Sequence, residues 1–188
     1  MPYLVAIIAL ILGTLIGLQL PDADRVFSLF LVHRSIITHG FLLPLGLFLL
    51  AQGRERWLQL GAAGVSLAVA VHLAFDLFPR QWYGYALIHA PLFGYVGSTL
   101  SVLWLAASMV VCCLLALRLL RDRRDLALAL VAMGWGFVTV MGRERTWLLP
   151  LSMLLLALFL ASCFPNPVLD GRTATRRWTA AVRGLRRP

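Results

Sequence analysis

Residues 57–78 read WLQLGAAGVSLAVAVHLAFDLF. The run carries no charged side chain before Asp76. At about 1.5 Å of rise per residue it is long enough to cross the roughly 30 Å hydrocarbon core of a bilayer as one helix. Gly61-Ala62-Ala63-Gly64 offers a small-residue surface on which a neighbouring helix can approach closely. Near the other end, His72 and Asp76 stand four residues apart, which places both on one helical face. Ionisable groups inside a membrane helix are costly, and such a pair points to function.

The rest of the chain has the same character. Of its 188 residues 61% are hydrophobic and only 13% charged, with a mean hydropathy of +0.86. Water-soluble domains run nearer half apolar and about a quarter charged, so the composition is that of an integral membrane protein. Apolar runs at Pro2–Leu20, Ile36–Ala51, Trp57–Phe78, Ser98–Leu117, Leu126–Met141 and Trp147–Phe164 predict about six transmembrane helices. Irregular backbone cannot face lipid, so the expected fold is all-α, a polytopic membrane helical bundle over residues 1–164. The start, MPYLVAIIALILGTLIGLQLPD, lacks the basic opening and small-residue cleavage site of a signal peptide and reads as a retained first helix. Residues 165–188 form a basic tail in which Trp178, Ala181, Val182 and Leu185 recur at helical spacing among arginines. It reads either as an amphipathic segment on anionic lipid or as a disordered basic tail.

The net charge of +9 comes entirely from arginine on the basic side. In a soluble chain that excess would suggest nucleic acid. Here the arginines occupy short connections and the tail, where orientation and anionic lipid account for them, and no nucleic-acid partner is expected. With six spans, twelve arginines fall on one side and five on the other. The positive-inside rule then places both termini in the cytoplasm of a cell (inner) membrane protein. Cys112, Cys113 and Cys163 lie in or at the ends of apolar runs and read as small buried hydrophobes. Arg143-Glu144-Arg145 and the Arg121–Asp125 cluster read as solvated loops, and Trp82, Tyr83 and Tyr85 as an interfacial aromatic belt.

Against this background, residues 21–40, PDADRVFSLFLVHRSIITHG, concentrate Asp22, Asp24, His33, Arg34 and His39. Consecutive spanning helices alternate in direction. The end of the first, the start of the second and the end of the third therefore share one membrane face, and with the cytoplasmic termini that face is the outer one. Asp22, Asp24, His33, Arg34, His39, His72 and Asp76 converge there. Imidazole and carboxylate are the usual ligands of zinc, manganese or iron. A bound divalent ion lowers the pKa of its water toward ~7 and supplies a nucleophile at neutral pH. Arg34 has the planar fork that suits phosphate or carboxylate. Singly, Asp22, Asp24 and His33 also read as interfacial groups; the conjunction favours a site. His89 is either a further ligand or a residue lining the mouth.

In order, Pro21-Asp22-Ala23-Asp24, His33-Arg34-Ser35-Ile36-Ile37-Thr38-His39 and His72-x-x-x-Asp76 resemble the YdjM-like family of membrane-bound metal-dependent hydrolases, with its PDxD, HRG-x-THS and HxxxD elements. Gly84 and Pro91 match a Gly and a Pro that follow, and the resemblance covers residues 20–91. His33 and His39 are one residue further apart than in the family pattern, Ser35 replaces its Gly, and Gly40 its Ser. On a helix the extra residue would rotate one histidine by about 100° relative to the other.

The resemblance implies a hydrolase holding one or two divalent metal ions. Asp22, Asp24, His39, His72 and Asp76 are then metal ligands, His33 a ligand or general base, Arg34 the group that orients an anion, and Thr38 a support behind the ligands. A site at headgroup depth suits a phosphoester or lipid-derived substrate. The competing class is a non-catalytic membrane protein: an accessory subunit of a membrane complex, with a histidine ligating pigment or haem, or an ion-binding transporter. The acids beside the histidines argue against the pigment version. Transport has little support without paired broken helices. Membrane-protein partners or a homo-oligomer suit either class.

Overall fold

The computed structural model describes residues 2–25, 33–78, 88–91, 93–142, 144 and 146–166. The basic tail from 167 onward and the aromatics Trp82, Tyr83 and Tyr85 lie outside them. Among the described residues six α-helices follow in order: α1 Pro2–Gln19, α2 Leu42–Ala51, α3 Arg56–Asp76, α4 Ser98–Leu119, α5 Arg123–Met141 and α6 Leu148–Ser162. A 3₁₀ turn at Pro21–Arg25 follows α1, and a two-stranded antiparallel hairpin, β1 His89–Ala90 and β2 Gly94–Tyr95, precedes α4. The fold is an all-α helical bundle.

Helix α3 is the pillar. It touches all five other helices and is buried along most of its length. A helix that is apolar all round belongs in the middle. Its glycines set its closest contact. A Cβ at Gly64 would stand 2.6 Å from the Leu10 carbonyl oxygen and 3.1 Å from the Thr14 amide nitrogen, and one at Gly13 would collide with Gly61. The backbones of α1 and α3 thus meet where side chains are missing, the means by which membrane helices gain dispersion contact. The contacts ascend together along both helices, from Leu10 against Gly64 to Leu18 against His72, so α1 and α3 run parallel. Arg56 meets Asp125 at one end and Phe75 meets Phe137 at the other, so α5 runs parallel to them as well.

Helices α3, α4 and α5 are long and apolar enough to cross a membrane; α1, α2 and α6 are shorter apolar helices. The largest departure from expectation is the second span. Residues 33–41 form turns, and α2 begins only at Leu42. Ten residues give about 15 Å of helix, half of a hydrocarbon core. The segment stops short of a span because its polar groups have better partners: the Arg34 and Ser35 amides and the Thr38 hydroxyl all donate to Asp24. Pro44 then sits in the first turn of α2, where no intrahelical N–H is needed.

A second correction concerns Asp125, read from the sequence as part of a solvated loop. It is fully buried and accepts from the Arg56 guanidinium and from the Arg121 amide. Arg56 also binds Asp122 at 2.9 Å and lies 4.6 Å from the Tyr3 ring centre, clasping the starts of α1, α3 and α5. Asp122 caps α5 by accepting from the Arg124 and Asp125 amides. Burial alone would raise the Asp122 carboxyl, but these amides and Arg56 hold it below the ordinary carboxylate value. Cys112 and Cys113 are buried as expected, whereas Cys163 is exposed.

The α1–α3 contact predicts opposite outcomes for two helical glycines. Gly64→Ala forces the backbones apart and lowers stability by about 2 kcal/mol. Gly134 has nothing within 4 Å of an added Cβ, so Gly134→Ala is neutral or gains up to about 1 kcal/mol of helix propensity. Thermal unfolding of the two variants in one detergent checks the pair.

Candidate metal centre

The site is assembled at the C-terminal ends of α1 and α3 around a buried carboxylate. Asp24, in the 3₁₀ turn, has no solvent exposure. Its Oδ2 accepts from the Arg34 amide at 2.6 Å, the Thr38 hydroxyl at 3.1 Å and the Ser35 amide at 3.3 Å. Its Oδ1 lies 3.1 Å from His33 Nδ1. Burial would raise this carboxyl. The hydrogen bond from His33, the neighbouring His39 imidazole and the two amides outweigh it and keep the group below its ordinary value. To present its amide to Asp24, Arg34 adopts φ +65°, a left-handed conformation uncommon for a residue with a side chain. The other edge of the loop is pinned by hydrogen bonds from the His89 amide to the Arg34 carbonyl and from the Ile36 amide to the His89 carbonyl, each 2.9 Å.

This folding carries His39 into the bundle. Only 1% of its side chain is exposed. Its Nδ1 faces Thr38 Oγ1 at 3.1 Å and Asp24 Oδ2 at 3.3 Å, and its Nε2 faces Asp76 Oδ2 at 3.6 Å. The Trp104 indole N–H donates to the His39 carbonyl at 2.8 Å. A Cβ at residue 40 would stand 2.8 Å from the Trp104 ring, so Gly40 is what admits the indole. His39 precedes α2, outside the helices, and burial pushes its imidazole down to about 4. It is neutral at pH 7.

His72 projects from α3 on the other side of Asp76. Its Nδ1 lies 2.9 Å from the Leu18 carbonyl oxygen, which can only accept, so Nδ1 carries a proton and, in the neutral ring, Nε2 carries the lone pair. That Nε2 lies 3.4 Å from the same Asp76 Oδ2. The Nδ1 of His39, facing a hydroxyl and a carboxylate, likewise takes the proton and leaves its Nε2 bare. Two imidazole lone pairs and one carboxylate oxygen therefore point at a common space. Asp76 Oδ2 is buried and has no hydrogen-bond partner among the described residues. An oxygen of Asp22 joins from the end of α1: ligand atoms of Asp22, His39 and His72 all lie within 4.8 Å of one another.

The structure thus brings Asp22, His39 and His72 together, with Asp76 Oδ2 beside the Nε2 atoms of both histidines. It places Asp24 one ring further back, against the far nitrogen of His39. His33 lies further out, 41% exposed, with Nδ1 on Asp24 and Nε2 3.3 Å from an Arg25 guanidinium nitrogen that can only donate. Arg34 is half-buried and meets Asp24 through its backbone amide. His89 acts through its backbone, and its ring packs edge-on against Tyr95 with centroids 5.3 Å apart. The sequence reading missed Trp104 and the Leu18 carbonyl; neither carries a local signal, since each meets its histidine only through the packing of helices. Comparisons with protein-family models, curated proteins and solved structures find no match.

The Asp24 linkage predicts a pH signature. Because its folded pKa is depressed below 3.8, its stabilisation is fully present above that value and is lost as pH falls through the folded pKa. Asp24→Asn is expected to be less stable by about 2 kcal/mol between pH 5 and 7, as hydrogen bonds to a charged group are lost. Below pH 3.8 the gap between variant and wild type closes; unfolding midpoints across that range measure it.

Proposed function

We propose that the chain is an integral membrane metal-dependent hydrolase whose divalent ion is held by Asp22, His39, His72 and Asp76. One observation carries this reading. Three acceptors, the Nε2 atoms of His39 and His72 and Asp76 Oδ2, face one another at 3.4 and 3.6 Å with no donor between them among the described residues. Such an arrangement is repulsive without a cation, and its nitrogen and oxygen donors suit zinc, manganese or a similar ion. The partners behind the ligands fit too. The Leu18 carbonyl fixes His72, while Thr38 and Asp24 fix His39, leaving the ligating nitrogens bare.

When bound, the ion supplies Lewis acidity that activates water at neutral pH. The chain's own residues supply the remainder. Asp24 and Thr38 orient His39. His33, exposed and backed by Asp24, is placed to take and return a proton at Nε2 once Arg25 leaves that nitrogen for an anionic substrate, and the exposed Arg25 lies on the rim that such a substrate meets first. A phosphoester, including one carried by a lipid, suits that basic rim. The order of the PDxD, HR and HxxxD elements, similar to the YdjM-like hydrolases, supports the same reading. A carboxylate 3.4 Å from His72 Nε2 crowds the position a pigment's metal would need, which disfavours the accessory-subunit alternative. The arginine bias supports a bacterial-type inner (cell) membrane, cytoplasmic termini and an outward-facing site.

Metal content tests this. Protein purified without chelator is expected to carry, or gain on titration, about one divalent ion per chain. Asp76→Ala and His72→Ala should each weaken binding at least tenfold. Absence of stoichiometric metal in wild type, with none gained on titration, overturns the enzyme reading.

A further inference from the structure

The opposite end of the bundle carries a second polar construction. A cleft of about 620 Å³ opens there, lined by Tyr3, Arg56, Asp122, Arg123 and Arg124. That volume lies in the range of small-molecule sites, roughly 300–1,000 Å³. Its floor is rigid. Arg56 is held by Asp122 and Asp125, and Arg121 donates to the Gln59 side chain and the Arg54 carbonyl. The charges of Asp122 and Asp125 are thereby engaged with Arg56. Arg123 and Arg124, both exposed in the first turn of α5, have no ion-pair partner among the described residues. Two guanidinium groups beside a preformed cleft are a fork suited to phosphate oxygens.

The surroundings identify the carrier of that phosphate. The cleft lies at the shared end of α3 and α5, two helices able to cross a bilayer, and so falls at headgroup depth. The adjoining turns of α1 and α3 expose Leu4, Val5, Trp57 and Leu58. Apolar side chains below and an exposed indole at the boundary match acyl chains and the interface. We infer that this cleft binds the phosphate-bearing headgroup of an anionic phospholipid, with Arg123 and Arg124 supplying the charge against the rigid Arg56–Asp122 floor. The cleft lies at the opposite end of α3 from the candidate metal centre.

The test uses the full chain in a neutral detergent, with the thermal unfolding midpoint followed during titration with phosphatidylglycerol, phosphatidylcholine or inorganic phosphate. Phosphatidylglycerol is expected to raise the midpoint and phosphatidylcholine to raise it much less. The Arg123→Gln/Arg124→Gln double variant should need roughly 30-fold more phosphatidylglycerol for the half-maximal shift, and each exposed single variant roughly fivefold more. The single variants carry the test if the double variant does not fold. Arg186→Gln/Arg187→Gln, in the tail, should leave the response unchanged. Equal stabilisation by the two lipids, loss of the response in the tail variant with retention in the cleft variants, or full reproduction of the shift by inorganic phosphate would each overturn the proposal. No arm reads metal or activity, so failure here is distinguishable from failure of the hydrolase reading.

Discussion

A carboxylate without solvent exposure, in a chain with few polar side chains, must be satisfied by whatever donors the chain can fold toward it. Asp24 is that group. Its two oxygens gather two backbone amides, one hydroxyl and two imidazoles from residues 33–39. Leaving such a charge unpaired would cost several kcal/mol, more than the helical hydrogen bonds the segment gives up by folding as turns. The strained φ of Arg34, the late start of α2 and the burial of His39 all follow from satisfying this one group. The candidate metal centre is therefore a consequence of Asp24, which itself stands behind the His39 ring.

The second requirement is depth. His72 and Asp76 are on α3, so their position depends on α1 approaching closely enough for the Leu18 carbonyl to reach His72. The glycines at 13 and 64 permit that approach. Small residues in mid-bundle thus set the orientation of an imidazole two turns further on. At the other end, Arg56 clasps the same helices, and the tilt of α1 against α3 is fixed from both sides.

Much of this was legible in the sequence. The i,i+4 spacing of His72 and Asp76 and the alternation of spans were enough to bring the histidines and aspartates to one face. What could not be read was which aspartate does what. Asp22 and Asp24 are two residues apart and chemically identical, and only the path of residues 33–39 puts one beside the ligand atoms and the other behind a ring. Hydropathy also extended the second span to Ile36, because an apolar run does not reveal that its few polar residues will bind a carboxylate. His33 and His39 stand in turns, so their six-residue spacing does not fix them as it would on a helix. Asp125 looked solvated because its partner, Arg56, is 69 residues away. Such pairs arise from packing and leave no local pattern.

The central claim is that two imidazole nitrogens and carboxylate oxygens, drawn from three separate segments, share one cation. X-ray absorption at the zinc edge of the zinc-loaded protein examines that shell directly. The account predicts a low-coordinate nitrogen and oxygen shell with the outer-shell scattering of two imidazole rings, reduced to one ring in His72→Ala. A shell of oxygen alone with no imidazole scattering, or one unchanged by His72→Ala, would contradict it.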